Sequence, residues 1–90
     1  MKVEWDPQKA VVNLRRHRVS FEEAKSALLD PLALTVQDPD HSTHERRFIT
    51  FAFSKRNRLL VIAYTNRAAA IRIISARLAT KRERKMYEEN

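Results

Sequence analysis

Polar and apolar positions change period along this chain, and the changes divide it into elements. Lys2, Val3, Glu4 and Trp5 alternate, which predicts a short strand with one buried face. Asp6-Pro7 stops that strand and opens a helix, since Asp caps free N–H groups and Pro is favoured at the first helical position. Ala10, Leu14 and His17 recur at helical spacing, so the first helix runs to about His17. Ser20-Phe21-Glu22-Glu23 has the spacing of a capping box, in which Ser20 and Glu23 reciprocally satisfy free N–H groups. Phe21, Ala24, Ala27 and Leu28 supply the apolar stripe of this second helix, which Asp30-Pro31 ends. The period then becomes extended. Residues 32–36, 47–53, 59–65 and 70–76 are rich in β-branched and aromatic side chains and separated by polar segments, which predicts a four-stranded antiparallel meander. Residues 59–64 are apolar on both faces and belong at the centre of the sheet, with helices over one side. Thr80-Lys81-Arg82-Glu83 is a second capping box and opens a short terminal helix. The order describes one α+β domain over residues 1–90.

Ninety residues support one modest core and no deep cleft, so a site is expected on the surface. Charge then narrows the partner. Residues 1–45 carry 6 Lys+Arg against 8 Asp+Glu, residues 46–90 carry 12 against 3, and the whole chain is +7. Mixed signs suffice for solubility, so a one-sided excess points to a polyanion, with nucleic acid first. An anionic membrane surface would want a basic helix with a broad apolar back, and the last helix offers Met86 and Tyr87 alone. Cys is absent, which excludes disulfides, a thiol nucleophile and a thiolate metal site. No signal-peptide run opens the chain and no stretch reaches the ~18 apolar residues of a membrane span, so a cytoplasmic location is expected. Asp38, Asp40, His41 and His44 are metal-capable, but their spacing fits neither an EF-hand loop nor paired helical histidines. Residues 38–44 are therefore read as a solvated or partner-facing loop, and no metal or other cofactor is expected. Gly is absent too, so positive-φ positions must fall to Asn, Asp or a strained residue.

Arg72-Ile73-Ile74-Ser75-Ala76-Arg77 hands two arginines from a buried-looking strand to the basic helix that follows, a junction suited to phosphate. The same segment belongs to an ordered set: Glu4-Trp5-Asp6-Pro7 with Lys9, Asn13 and His17, then Val19-Ser20-Phe21-Glu22-Glu23-Ala24, Asp30-Pro31, Asp38-Pro39-Asp40-His41, Arg47-Phe48-Ile49, Arg72 to Arg77, and Glu83-Arg84-Lys85-Met86-Tyr87. Over nearly the whole chain this set resembles the BrnT family of toxins. The resemblance implies a RelE-like fold and a type II toxin–antitoxin module, whose small ribonuclease acts on mRNA, free or on the ribosome, and inhibits translation. It further implies a BrnA-like antitoxin with a ribbon-helix-helix dimer, so that operator DNA is reached only through the complex. The chain departs from the family pattern at its glycines. Arg18 stands where Gly usually follows the His, and Asn57 and Ala68 to Ala70 occupy turns where Gly is common. A non-Gly residue at positive φ costs of order ~1 kcal/mol.

Metal-independent RNA cleavage by a ribose 2′-OH needs a base, an acid for the leaving 5′-oxygen and cations for the phosphorane charge. Arg77, at the strand end before a helix N-terminus, is the foremost phosphate ligand, and its plain alternative is a surface ion pair. Arg72 lies five residues earlier, so in an unbroken strand it projects from the opposite sheet face. Lys81, Arg84 and Lys85 cluster on one side of the terminal helix, with Arg82 adding charge and Glu83 and Tyr87 neighbouring on another side. Glu83 is a base candidate already accounted for by the Thr80 box, and Tyr87 is either a proton donor or stacking ring, or a core-edge ring. His17 suits proton transfer, but also the C-terminal end of a helix dipole. Lys9 joins the basic surface or pairs with Asp6, Asn13 holds the geometry after the first helix, and Trp5 is a core ring with base stacking as its alternative. The proton acceptor stays unassigned. A non-catalytic RNA-binding module and an interaction protein with an acidic partner use the same basic surface and compete with the ribonuclease reading.

Overall fold

The computed structural model describes residues 1–38 and 46–90. In chain order the elements are β1 (Lys2–Glu4), α1 (Pro7–His17), α2 (Phe21–Ala27), β2 (Leu34–Gln37), β3 (Arg47–Phe53), β4 (Leu59–Arg67), β5 (Ala70–Leu78) and α3 (Lys81–Glu88). They form an α+β fold with one five-stranded sheet in the order β1-β5-β4-β3-β2. The meander from β2 to β5 is antiparallel as expected. The first strand, however, is part of the sheet: β1 pairs parallel to β5, with Glu4 opposite Arg72, so the sheet is mixed and five-stranded rather than four-stranded. Residues 5–69 serve as the crossover that a parallel neighbour requires.

Strand boundaries shift for local reasons. The second strand starts at Leu34 rather than 32, because Asp30 builds a turn first: its Oδ1 accepts from Leu32 N–H and its Oδ2 accepts from Phe53 N–H. β4 and β5 each run two residues beyond the expected ends, to Arg67 and Leu78. The polar loop expected after Asp38 lies outside the described residues.

Asp6 caps α1, with its carboxylate accepting from Gln8 N–H at 2.8 Å. The buried face of α1 is Asn13, with Ala10 packed on the core, while Leu14 is 48% exposed, so the apolar stripe read through Leu14 is corrected. Asn13 is drawn inward by hydrogen bonds. Its Nδ2 donates to the carbonyls of Val19 (3.0 Å) and Ala76 (2.8 Å), and its Oδ1 accepts from Ala76 N–H (3.1 Å), which latches α1 onto β5. In α2 the Ser20 half of the capping box is present, with Ser20 Oγ accepting from Glu23 N–H. The Glu23 half is not. Its buried carboxylate accepts from Arg58 and, at 2.7 Å, from Ser54 Oγ, which ties α2 to the β3–β4 turn. The Arg58 hydrogen bonds hold the Glu23 carboxyl below its ordinary pKa against the opposing effect of burial.

Val19, Phe21, Ala24 and Ala27 pack on Ala52, Leu60, Ile62, Ile73 and Ala76 to form the core, and Trp5 meets Phe21 edge-on. Burying a side chain such as Phe21, Leu60 or Ile62 contributes about 1.5–3 kcal/mol each. Among the described residues three non-Gly residues take positive φ: Arg18 (59°), Asn57 (61°) and Ala68 (53°). These fall at the turns where the resemblance noted above leads one to expect Gly. Asn tolerates this region, whereas Arg18 and Ala68 each bear a steric cost of about 1–2 kcal/mol.

Candidate nucleic-acid interface

The site grows from an irregularity in β5. Ser75 lies opposite Ala63 and Ile73 opposite Tyr64, so Ile74 is an extra residue without a partner on β4. Ile73 and Ala76, three apart, both reach the helix-side core as a result. The same bulge brings Arg72 and Arg77 to one face of the sheet, the face away from α1 and α2, where an unbroken strand would separate them. Cross-strand register adds Arg47 to this face, in a row with Thr65 and Arg72. Thr65 is fully buried in that row, and its Oγ1 has no hydrogen-bond partner among the described residues.

At the far end of this face β5 turns into α3. Thr80 Oγ1 accepts from Glu83 N–H and the Glu83 carboxylate accepts from Thr80 N–H, so the second capping box forms in full. Glu83 also grips Arg77 in a two-pronged ion pair, Nη1 to Oε1 at 2.8 Å and Nη2 to Oε2 at 2.9 Å. Arg77 leads in depressing the Glu83 carboxyl, to about 2, which leaves it unsuited to accept a proton near neutral pH. The plain alternative for Arg77 is therefore present, with a chemical remainder. Glu83 takes the end of the guanidinium fork and the Leu78 carbonyl takes a further Nη1 proton, while no described residue accepts from Nε. The Nε–Nη2 edge of a 40% exposed side chain stays open to a phosphate, held in a fixed orientation by Glu83.

The rest of α3 divides by role. Arg84 lies over the Phe53 ring, 5.8 Å from its centroid, and Tyr87 meets that ring edge-on. Tyr87 donates its hydroxyl proton to the Leu32 carbonyl at 3.1 Å, and burial, with Asp30 nearby, pushes the phenol up. Its ring is a core-edge ring in this arrangement. Lys81, Arg82 and Lys85 are exposed on α3. Arg72 is paired with Glu4 at 3.0 Å, and the Trp5 ring is committed to Phe21.

Two other candidates come together elsewhere. Lys9 and His17 line a cleft of about 410 Å³ between α1 and the β5 bulge, joined by Asp6, Asn13, Arg16, Ile74 and Ser75. Lys9 makes no ion pair with Asp6, whose carboxylate caps the helix instead. The site candidates thus fall into a β5–α3 group around Arg77 and an α1–β5 group around His17, and Ser75 lies two residues from Arg77 on the strand between them. Sequence reasoning missed Arg16, Arg47 and Ser75. For Arg16 a signal existed, since it follows Lys9 by seven residues on one helical face. Among the described residues no cluster of three or more His, Cys, Asp or Glu side chains could hold a metal, and no helix is long and apolar enough to cross a membrane.

A basic α+β domain that passes arginines from its sheet to a capped, cationic helix defines a small protein built to meet nucleic acid. The comparisons make the class specific. The family of the ribonuclease toxin BrnT of type II toxin–antitoxin systems matches residues 5–83, and the chain belongs to that family. The 1.1 Å crystal structure of the Brucella abortus ribonuclease toxin BrnT is similar in fold, with a TM-score of 0.66 and 19% identity over 90% of this chain and 99% of that one. No curated protein matches the sequence.

Proposed function

We propose that this chain is a metal-independent endoribonuclease of the RelE-like kind, which cleaves mRNA, free or on the ribosome, and thereby inhibits translation in the cytoplasm. The observation that carries the reading is the Arg77 guanidinium, aimed by Glu83 and open along its Nε–Nη2 edge. Arg77 receives the charge that develops on the phosphorane oxygens, and Lys81, Arg82, Arg84 and Lys85 hold flanking phosphates. Glu83 acts as a positioning residue, because its carboxyl at about 2 and its two engagements remove it from proton transfer. Tyr87 spends its proton on Leu32. His17 lies in the cleft on the α1 side of the sheet, across from the face that carries Arg77, so the proton acceptor at Arg77 stays unassigned. A BrnA-like antitoxin with a ribbon-helix-helix dimer neutralises the toxin, and the complex meets operator DNA through the antitoxin.

A second reading draws on the same geometry. Glu83 and Tyr87 are spent, so no acid–base pair surrounds Arg77, which suits a non-catalytic RNA-binding module. Expression of wild type and Arg77→Ala in growing cells separates the two. The ribonuclease reading expects growth arrest that Arg77→Ala abolishes while circular dichroism reports a folded protein; arrest that persists at equal expression removes Arg77 from the mechanism.

A further inference from the structure

The cleft between α1 and the β5 bulge has a chemistry of its own. Lys9 and Arg16 are exposed, His17 is half-buried, and all three line the same concavity of about 410 Å³. Neither Lys9 nor Arg16 has a carboxylate partner among the described residues, and the one carboxylate in the lining, Asp6, is held by the Gln8 N–H. The floor is rigid, because Asn13 makes three hydrogen bonds there and Ile74 and Ser75 belong to the bulge.

Helix electrostatics accounts for part of this charge. Arg15, Arg16 and His17 all sit in the last turn of α1, where the dipole favours cations. Lys9 sits in the first turn, where the dipole disfavours one, so the dipole does not account for it. Position also matters. Seven residues of helix separate Lys9 from Arg16, about 10 Å along the axis, so the cations flank the cleft at both ends rather than converging on a point. That layout suits an extended polyanion better than a single ion. Ser75 in the cleft wall lies two residues from Arg77, about 7 Å along the strand.

From this we infer that the α1–β5 cleft is a phosphate-binding subsite for a single-stranded RNA, in which Lys9 and Arg16 hold consecutive parts of the backbone beside His17. To reach Arg77 on the other face of the sheet, the same RNA passes round the edge of β5 that β1 leaves unpaired beyond Arg72. The inference rests on the RNA reading above and names a second stretch of its footprint.

The test is fluorescence anisotropy of a labelled single-stranded RNA across a series of salt concentrations. It compares wild type, Lys9→Ala/Arg16→Ala, Arg77→Ala and a charge-matched control, Arg15→Ala/Lys25→Ala, which removes two exposed cations outside the cleft lining. Each lost phosphate contact lowers the slope of log affinity against log salt by about 0.7, so the cleft variant should lose about 1.4 and bind several-fold to tenfold more weakly at low salt. The control should stay near wild type. If the cleft variant matches the control while Arg77→Ala weakens binding, the cleft is not a subsite and the RNA reading stands. If wild type itself binds no RNA, both are overturned.

Discussion

Replacing Asn13 with Ala should unlatch α1 from the sheet. The side chain is 6% exposed and satisfies three backbone groups, the N–H and C=O of Ala76 and the C=O of Val19. Each buried backbone group left without a partner costs about 1–3 kcal/mol. Asn13 borders an open cleft, so water can reach part of the gap, and the low end of that range, about 1 kcal/mol per group, applies. The total is about 3 kcal/mol, a large fraction of the ~5–15 kcal/mol that stabilises a domain of this kind. For a 60–100-residue domain this lowers the melting midpoint by about 12–24 °C. Urea unfolding followed by Trp5 fluorescence reads the loss, because Trp5 is the single tryptophan and packs on the core. Asn13→Asp sharpens the test. It keeps the acceptor for Ala76 N–H but replaces the donor with a second acceptor facing two carbonyls, so the folded-state carboxyl is raised. The penalty is full at neutral pH and relaxes as pH falls through that raised value. If Asn13→Ala costs less than about 0.5 kcal/mol, the latch is not structural and the reasoning fails.

Other expectations follow from the ion pairs and turns. Glu23→Ala should cost about 3 kcal/mol in urea unfolding, because it strands Arg58 and Ser54 at a largely buried site; a loss below about 1 kcal/mol would contradict that role. The Glu83 carboxyl is depressed from 4.5 to about 2, so its contribution is complete above pH 4.5 and is lost as pH falls through about 2. With Arg77 40% exposed, screening reduces that contribution to about 1–2 kcal/mol. Glu83→Gln should therefore be less stable than wild type at pH 7 and nearly equal to it close to pH 2, and a gap that does not narrow would refute the assignment. Arg18→Gly should raise stability by about 0.5–1 kcal/mol, since it relieves a φ of 59° and keeps the backbone carbonyl that Arg58 uses; a lower melting midpoint would count against strain there.

Much of this architecture is legible in the chain because local signals agree with tertiary packing. Residues 47–53 are a strand by composition and a strand in the fold, and Asp6, Ser20 and Thr80 cap the helices that their spacing announces. What escaped depends on distant partners. Glu23 has the spacing to return to Ser20, yet Ser54 and Arg58 offer a stronger, charge-assisted set of bonds from 31 and 35 residues away. Asn13 reads as a polar residue on a helix, and only the free edge of β5 beyond β1 explains its burial. The bulge at Ile74 has no Gly or Pro to mark it, so the shared face of Arg72 and Arg77 was invisible to a period-two reading. The expected chemistry was partly legible for the same reason. Arg77 and Glu83 are six residues apart and meet locally, whereas Lys9, His17 and Ser75 are gathered by the fold.

The family membership fixes the class of activity, and the arrangement around Arg77 makes its chemistry testable in one reaction. Purified protein and a defined RNA are incubated with and without EDTA, beside Arg77→Ala, and the product ends are mapped. The account predicts cleavage that survives EDTA, leaves 5′-hydroxyl ends and vanishes in the variant. Cleavage that EDTA abolishes, or that Arg77→Ala leaves at the wild-type rate, would contradict it.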